Sequence, residues 1–180
     1  AFVAGSCPNA GTYTNTWTVT DACGNISGVY TQVITITDNT APIISLPTTS
    51  LVMTCFNAAT VSTWLATASA TDNCDGTMVV IPTYATPTTN CNQTVTVTFT
   101  ATDACGNMST ATKNFRVNDS IAPTIGGNIA VSNVEGCSAG QSTTLVVLQT
   151  TVAGLESLGL TISDNCTSDA NMTVSYTESS

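Results

Sequence analysis

The sequence predicts an all-β protein made of tandem antiparallel β-sandwiches, and three observations support this prediction. Thr, Val and Ile alternate at every second position in residues 12–20, 33–37 and 94–100, as they do in half-buried strands. Gly, Asn, Asp and Pro separate these runs and mark turns. Landmark motifs also recur along the chain, which indicates more than one structural unit.

Three motifs define the repeat. Asp-Ala-Cys-Gly-Asn, Asp-x-x-Ala-Pro and Asp-Asn-Cys each occur twice, at 21–25 and 103–107, at 38–42 and 119–123, and at 72–74 and 164–166 respectively. Their order predicts one complete immunoglobulin-like repeat at 41–123. Residues 1–40 then form the C-terminal half of such a repeat. Residues 124–180 form the N-terminal half, which residues 1–40 of the next copy complete.

Within the complete repeat, the sequence predicts four strands in order. The first follows Pro42, the second contains residues 51–55, the next to last runs from Cys91 to Cys105, and the last covers residues 110–118. Residues 61–68 and 152–158 occupy matching places and are predicted to form helical turns. Residues 138–151 are predicted to be an insertion that forms an extra strand or a surface loop.

Composition excludes several classes of function. Lys113 and Arg116 are the only bases against eleven acids, and the formal net charge is −9. Such a surface does not attract nucleic acid or anionic lipid. No apolar run reaches the ~20 residues of a membrane span, and we expect any targeting segment to lie outside these 180 residues. Because histidine is absent and the cysteines are assigned to disulfides, we do not expect an enzyme.

Eight cysteines without histidine are typical of secreted proteins with disulfides rather than of zinc sites. We therefore expect an extracellular or cell-surface location. A strand of 14 residues spans about 46 Å, so Cys91 and Cys105 lie at opposite ends of the repeat. Topology then predicts the pairs Cys55–Cys91 and Cys74–Cys105. In the split repeat, the same logic predicts Cys137–Cys7 and Cys166–Cys23 between neighbouring copies.

The motifs resemble hyalin-repeat and related immunoglobulin-like modules of bacterial surface adhesins and extracellular filaments. The pieces that carry the resemblance are Ala70-Thr-Asp-Asn-Cys74, Cys7-Pro-Asn-Ala-Gly-Thr-Tyr13, Ala101-Thr-Asp-Ala-Cys-Gly-Asn107 and Asp38-Asn-Thr-Ala-Pro-Ile-Ile44. The resemblance implies β-sandwiches used in tandem for adhesion or as spacers, and it names no ligand.

Aspartates at one end of the complete repeat predict a calcium site. Topology places Asp38, Asp72 and Asp103 there, together with Asn39, and Ca²⁺ binds six to eight oxygen ligands. The Asp-Asn-Thr-Ala-Pro motif also resembles the calcium-binding linker of cadherins. In the split repeat, the equivalent set is Asp119 and Asp164 with Asp21 from a neighbour. The alternative is that these aspartates are ordinary turn and capping residues.

Several surface positions are candidate glycosylation sites. Sequons predict N-linked glycans, and Asp119-Ser-Ile121 resembles a bacterial O-glycosylation motif. The sites are Asn25, Asn92, Asn107, Asn118, Asn165, Asn171 and Ser120. The cysteine within the Asn165 sequon makes it a poorer acceptor. Trp17, Trp64 and the tyrosines are expected to be core anchors rather than a sugar-binding platform.

Two functions remain open. The first is a structural fibre or giant adhesin of disulfide-stapled sandwiches, in which copies of the unit meet head to tail. The copies are either separate subunits or parts of one longer chain, and the absence of a start signal at Ala1 favours the longer chain. The second is an adhesin module that binds a glycan or a protein through its loops.

Overall fold

The computed structural model describes residues 2–5, 7–8, 10–129 and 148–177. The described chain is predominantly β-structure in several antiparallel sheets, which confirms the all-β prediction. The elements, in order, are β1 Phe2–Ala4, β2 Gly11–Trp17, β3 Tyr30–Ile36, β4 Ile43–Ser45, β5 Leu51–Met53, α1 Ala58–Leu65, β6 Ser69–Asp72, β7 Gly76–Met78, β8 Ile81–Thr83, β9 Gln93–Thr102, β10 Met108–Val117, β11 Thr124–Gly127, α2 Val152–Ser157 and β12 Leu160–Ser163.

The first sheet contains strands in the order β1-β2-β3, and both pairings are antiparallel. Tyr13 lies opposite both Phe2 and Ile34, and Trp17 lies opposite Tyr30. Since side chains alternate between the faces of a strand, these large apolar residues share one face. The other face carries Val3, Val33 and the threonines between them.

The middle of the chain forms a four-stranded sheet in the order β5-β10-β9-β8 and a three-stranded sheet in the order β4-β6-β7. The long strands β9 and β10 supply the core, because alternate residues along them are buried. These residues are Val95, Val97, Phe99, Ala101, Phe115 and Val117. The predicted strands of the complete repeat are therefore present, with both long strands within a few residues of the expected bounds.

Helix α1 packs against this core. Asn57 caps its first turn, because its side-chain oxygen accepts a hydrogen bond from Thr60 N at 3.0 Å. The helix buries Val61 and Trp64. The Trp64 ring packs edge-on against Phe99 and Phe115 at centroid distances of 6.3 and 6.2 Å. Its indole N–H donates to the carbonyl of Thr49 at 2.9 Å, so the polar atom of this buried ring is satisfied.

Residues 124–177 contain counterparts of elements in the middle of the chain. Strand β11 pairs antiparallel with β12, as β4 pairs with β6. Helix α2 begins after Thr151, whose hydroxyl accepts from Gly154 N in the same capping arrangement as Asn57. Both predicted helical segments are thus confirmed, although α1 begins three residues before the predicted 61. Most of the predicted insertion at 138–151 lies outside the described residues.

Contacts divide the chain into two units. The first contains Ala1–Leu51, Asn57–Thr86 and Thr94–Phe115, and the second contains Val52–Phe56, Pro87–Gln93 and Arg116–Ser180. These units do not coincide with the predicted ranges 1–40, 41–123 and 124–180. The N-terminal sheet belongs to the first unit because the disulfide Cys7–Cys105 and the hydrogen bond from Asn107 Nδ2 to Asp38 O at 3.1 Å join it to later residues.

Candidate metal centre and assembly surfaces

Four aspartates converge in the first unit. Asp38 precedes β4, Asp72 ends β6, Asp75 lies in the β6–β7 turn, and Asp103 follows β9. One carboxylate oxygen from each lies within 4.8 Å of the others. Asp38 and Asp103 are each only 7% exposed. The structure therefore brings together the three aspartates predicted from the sequence and adds a fourth.

Asp103 is held by a tight turn. Its Oδ1 accepts hydrogen bonds from Cys105 N at 2.9 Å and Asn107 N at 2.7 Å, and its Oδ2 accepts from Asn107 Nδ2 at 2.7 Å. Gly106 has φ of +92°, which this turn requires. Burial alone raises the pKa of Asp103, but the hydrogen bonds from Asn107, Cys105 and Gly106 together lower it below its usual value.

Asp38 and Asp72 each leave one carboxylate oxygen without a donor. Asp38 Oδ1 accepts from Thr40 N at 3.1 Å, and Asp72 Oδ1 accepts from Cys74 N at 2.7 Å and Asp75 N at 3.1 Å. Their Oδ2 atoms are buried and accept no hydrogen bond from an N–H or O–H group. A buried polar atom in this state is costly, so these two oxygens are available ligands for a cation.

The cluster has an excess of negative charge. The basic side chains are engaged elsewhere, since Lys113 donates to Pro47 O and Arg116 donates to Asn92. The Cys74 thiol lies beside the carboxylates. Burial raises the pKa of that thiol, and the negative charges of Asp38, Asp72 and Asp75 raise it further. Clustered carboxylate oxygens at this separation suit a hard cation such as Ca²⁺.

Asp75 was absent from the predicted set. Its Oδ2 accepts from Ala104 N at 2.7 Å, so it joins the β6–β7 turn to the loop after β9. The signal in the sequence is the spacing Asp72-x-x-Asp75, which places two carboxylates in one tight turn. The amide nitrogen of Asn39 donates to Thr37 Oγ1 at 3.2 Å, and the role of Asn39 as a ligand through its amide oxygen stays a prediction.

The predicted calcium residues of the split repeat adopt the same local turns. Asp21 accepts from Cys23 N, Asn25 N and Asn25 Nδ2, as Asp103 does in its own turn. These bonds, led by the one from the Asn25 side chain, lower the pKa of Asp21. Asp164 accepts from Cys166 N at 2.9 Å and Thr167 N at 2.6 Å, which lowers its pKa.

Asp119 and Asp164 line one cavity of the second unit. Asp119 Oδ1 accepts from Ile121 N at 3.1 Å, just as Asp38 Oδ1 accepts from Thr40 N at 3.1 Å. Among the described residues of a single chain, Asp21 does not form a ligand group with these two. Its predicted place in a neighbouring copy stays a prediction.

Two disulfides connect residues that the sequence assigns to different repeats. Cys7 is bonded to Cys105 with the Cα atoms 4.9 Å apart, and Cys55 is bonded to Cys166 with the Cα atoms 5.2 Å apart. Asn165 Nδ2 lies 2.8 Å from Cys166 Sγ. Cys23, Cys74 and Cys91 are exposed free thiols, and Cys137 lies outside the described residues.

The structure corrects the predicted pairing of Cys55 with Cys91 and of Cys74 with Cys105. The underlying placement was sound, because Asp75 Oδ2 bonds Ala104 N next to Cys105, and Asn90 Oδ1 accepts from Phe56 N at 2.8 Å next to Cys55. At each end, however, a third cysteine from the adjoining repeat is present and forms the bond. Because Cys7 and Cys166 are consumed in this way, the predicted pairs Cys137–Cys7 and Cys166–Cys23 are replaced as well.

The N-terminal sheet exposes an apolar face, which we call the head face. It consists of the residues on one side of β1, β2 and β3, each 40–69% exposed: Phe2, Tyr13, Trp17, Tyr30, Ile34 and Ile36. Ring contacts at centroid distances of 5.0 Å (Phe2–Tyr13) and 5.9 Å (Trp17–Tyr30) order this face. These six residues share one face of a single sheet, whereas the exposed apolar residues of an ordinary surface are scattered singly. The expectation that Trp17 and these tyrosines are buried core anchors is therefore wrong for the single chain, whereas it holds for Trp64.

The repeated motifs show which residues in the middle of the chain correspond to residues of the head face. Aligning the Asp-Ala-Cys-Gly-Asn motifs places Trp17 at the position of Phe99, and aligning Asp38 with Asp119 places Ile34 at the position of Phe115. Phe99 and Phe115 are both fully buried. Trp17 and Ile34 of the head face therefore stand at positions that are buried in the middle of the chain.

The second unit contains an open cavity of about 470 Å³, which we call the tail groove. Its apolar lining comes from β11, α2, β12 and the segment after the 3-10 turn at 169–171: Ile125, Val152, Leu155, Ile162, Met172 and Val174. Val152 and Leu155 lie on α2 with the same three-residue spacing as Val61 and Trp64 on α1, one turn nearer the helix cap. In the middle of the chain, Trp64 of α1 packs against Phe99 and Phe115.

The candidate glycosylation sites differ in accessibility. Asn25, Asn92, Asn165, Asn171 and Ser120 are exposed, whereas Asn107 and Asn118 are half-buried. Asn107 Nδ2, the atom that an N-glycan would modify, already donates to Asp103 Oδ2 at 2.7 Å and to Asp38 O at 3.1 Å. A glycan on Asn107 would replace one of the two amide hydrogens and remove at least one of these bonds, so Asn107 serves as a structural residue of the acidic cluster.

No helix within the described residues has the length and apolarity needed to cross a membrane. Comparison with family models, characterised proteins and solved structures finds no match to this chain.

Proposed function

We propose that this protein is a structural unit of an extracellular fibre or giant adhesin, in which copies join head to tail. The head face of one copy inserts into the tail groove of the next, and the two parts complete one immunoglobulin-like sandwich. The observation that carries the proposal is the head face itself. Trp17 and Ile34 on this face stand at the positions of Phe99 and Phe115, which are buried in the middle of the same chain and pack against Trp64 of α1.

The two surfaces have compensating volumes, which supports their pairing. In the middle of the chain, the large Trp64 on the helix meets Phe99 on the strand. In the proposed joint, the smaller Leu155 of α2 would meet the larger Trp17 of the strand. Ile162 likewise stands where Ala70 is, while Ile34 stands where Phe115 is. Cores tolerate such exchanges when the total volume is kept.

The acidic cluster adds calcium to this proposal. Asp38, Asp72, Asp75 and Asp103 would hold the ion, which would supply positive charge where the chain has none. Asp38 immediately follows the N-terminal sheet, so a bound ion would fix that sheet to the turns around Asp72 and Asp103. Calcium would thus stiffen the fibre. The two disulfides serve the same purpose and fit an oxidising, extracellular setting.

A chain-capping experiment tests the head-to-tail arrangement. Trp17→Thr damages the head face but leaves the tail groove intact, so this variant adds to one end of a growing fibre and stops it. Substoichiometric Trp17→Thr should therefore shorten wild-type assemblies in light scattering and electron microscopy. Val33→Thr is the matched control, because Val33 lies on the opposite face of the same sheet. Failure of the wild type to assemble at any concentration, or assemblies indifferent to the capping variant, would refute the proposal.

A second candidate function is an adhesin module that binds a glycan or a protein. The four exposed aromatic rings of the head face favour it, since aromatic faces commonly stack on sugars and line protein interfaces. Glycan-array binding that Trp17→Thr abolishes in a strictly monomeric preparation would support this alternative over the fibre.

A further inference from the structure

Both disulfides among the described residues follow one rule when they are described by position in the repeat. Cys7 occupies the position of Cys91 in its own repeat, and it bonds Cys105 of the repeat that follows. Cys55 bonds Cys166, which occupies the position of Cys74 in the repeat after it. Each bridge therefore runs from one repeat to the next, and no bridge among the described cysteines closes within a repeat.

The Cys7–Cys105 bridge predicts a partner for Cys91. Since Cys7 reaches forward to the Cys105 position, Cys91 should reach forward to the same position in the repeat that follows its own. That position is Cys23, in the head segment of the next copy. Both Cys91 and Cys23 are exposed free thiols in the single chain.

Local geometry prepares Cys23 for this bond. The turn around it reproduces the turn around Cys105: Asp21 N donates to Asn25 O at 2.9 Å, and Asp103 N donates to Asn107 O at 3.0 Å. Gly24 and Gly106 have φ of +88° and +92°, so the backbone follows the same path. The Cys23 side chain is therefore presented as Cys105 is, and Cys105 already carries a bridge to another repeat.

Cys91 stands beside the place that the incoming turn would occupy. The neighbouring side chain, Asn90, donates to Cys166 O at 3.3 Å and accepts from Phe56 N at 2.8 Å. Cys91 thus lies next to the Cys55–Cys166 bridge. In the complete repeat, the turn of Cys105 lies next to Cys74, because Ala104 N donates to Asp75 Oδ2. In a completed split repeat, the turn of Cys23 would lie next to Cys166 in the same way.

We propose that Cys91 forms an intermolecular disulfide with Cys23 of the next copy, which locks the head face into the tail groove covalently. This inference rests on the head-to-tail function proposed above. The oxidant is a small-molecule disulfide. The Cys91 thiolate attacks it and releases one small thiol, and the Cys23 thiolate of the next copy then attacks the Cys91 sulfur and releases the second. Two protein thiols are oxidised and one small disulfide is reduced to two thiols.

The distribution of aspartates allows the pairing to be determined directly. Cleavage before every aspartate places each cysteine on a peptide of its own, with Cys23 on 21–37, Cys91 on 75–102, Cys55 on 38–71 and Cys166 on 164–168. Assembly of mixed unlabelled and ¹⁵N-labelled full-length chains in oxidised glutathione, followed by non-reducing cleavage and mass spectrometry, should yield 21–37 linked to 75–102. About half of these linked peptides should carry one label of each kind.

The variants Cys23→Ser and Cys91→Ser sharpen the test. In each, the remaining partner should become alkylatable by iodoacetamide after assembly, while the Cys55–Cys166 peptide pair stays oxidised. Assembly itself is measured separately, by light scattering under non-denaturing conditions. Assembled chains with Cys23 linked to 164–168, Cys91 linked to 38–71, or both thiols still free would overturn this inference alone. Absence of assembly would instead overturn the proposed function on which it rests.

Discussion

Substituting alanine for Trp17 and for Phe99 tests whether the head face is a core without its cover. The two residues occupy the same position of the repeat, but Phe99 is 0% exposed and Trp17 is 48% exposed. In the single chain, Phe99→Ala should lower the free energy of unfolding by about 3–5 kcal/mol, because it leaves a cavity in a packed core. Trp17→Ala should cost about 1 kcal/mol, since a half-exposed ring leaves no sealed cavity.

Assembly should reverse this order of effects. A tryptophan side chain of roughly 250 Å² that is half exposed still offers about 120 Å² for burial. At about 25 cal/mol per Å², the joint loses about 3 kcal/mol when Trp17 becomes alanine. The dissociation constant between copies should then rise by roughly 100-fold or more.

The assays are urea denaturation of dilute single chains and sedimentation equilibrium over a concentration series. The reasoning is refuted if Trp17→Ala destabilises the single chain as much as Phe99→Ala does. It is also refuted if Trp17→Ala changes the dissociation constant by less than about threefold.

Three further predictions concern the acidic cluster. Calcium at 100 times its dissociation constant should add about 2.7 kcal/mol to the free energy of unfolding. Asp38→Asn should abolish this gain, and in chelator it should raise the melting temperature. The control Asp169→Asn, at an exposed position, should do neither. In chelator, the stabilisation that comes from the lowered pKa of Asp103 should be complete above about pH 4 and should disappear as the pH falls through that pKa. In acid, the melting temperature of Asp103→Asn should therefore change less steeply with pH than that of the wild type. An unchanged slope would contradict the assignment. Iodoacetamide should modify Cys74 faster in Asp38→Asn than in the wild type, because one of the charges that raise the thiol pKa is removed; equal rates on peptide 72–74 would show that Asp38 does not act on this thiol.

The sequence by itself determined the strands, the turns and the character of each face. Alternation of β-branched and hydroxyl residues is a local property with a period of two, so β2, β3, β9 and β10 are recognisable without any tertiary information. The turns are local as well. Asp21 and Asp103 bond to backbone groups within four residues, so equal motifs gave equal turns in both repeats. The gathering of Asp38, Asp72 and Asp103 was also foreseeable, because the order of the strands places all three at one end of the repeat.

The tertiary structure alone decided the disulfide partners. Topology predicted correctly which cysteines lie near the same end of the repeat, Cys55 with Cys91 and Cys74 with Cys105. It did not reveal that Cys166 and Cys7 reach those ends as well. A bridge forms between whichever two sulfurs the packing brings together, and that depends on how neighbouring repeats approach over about 100 residues of intervening chain. The exposure of Trp17 is of the same kind, because its strand specifies an apolar face and only packing determines whether that face is covered.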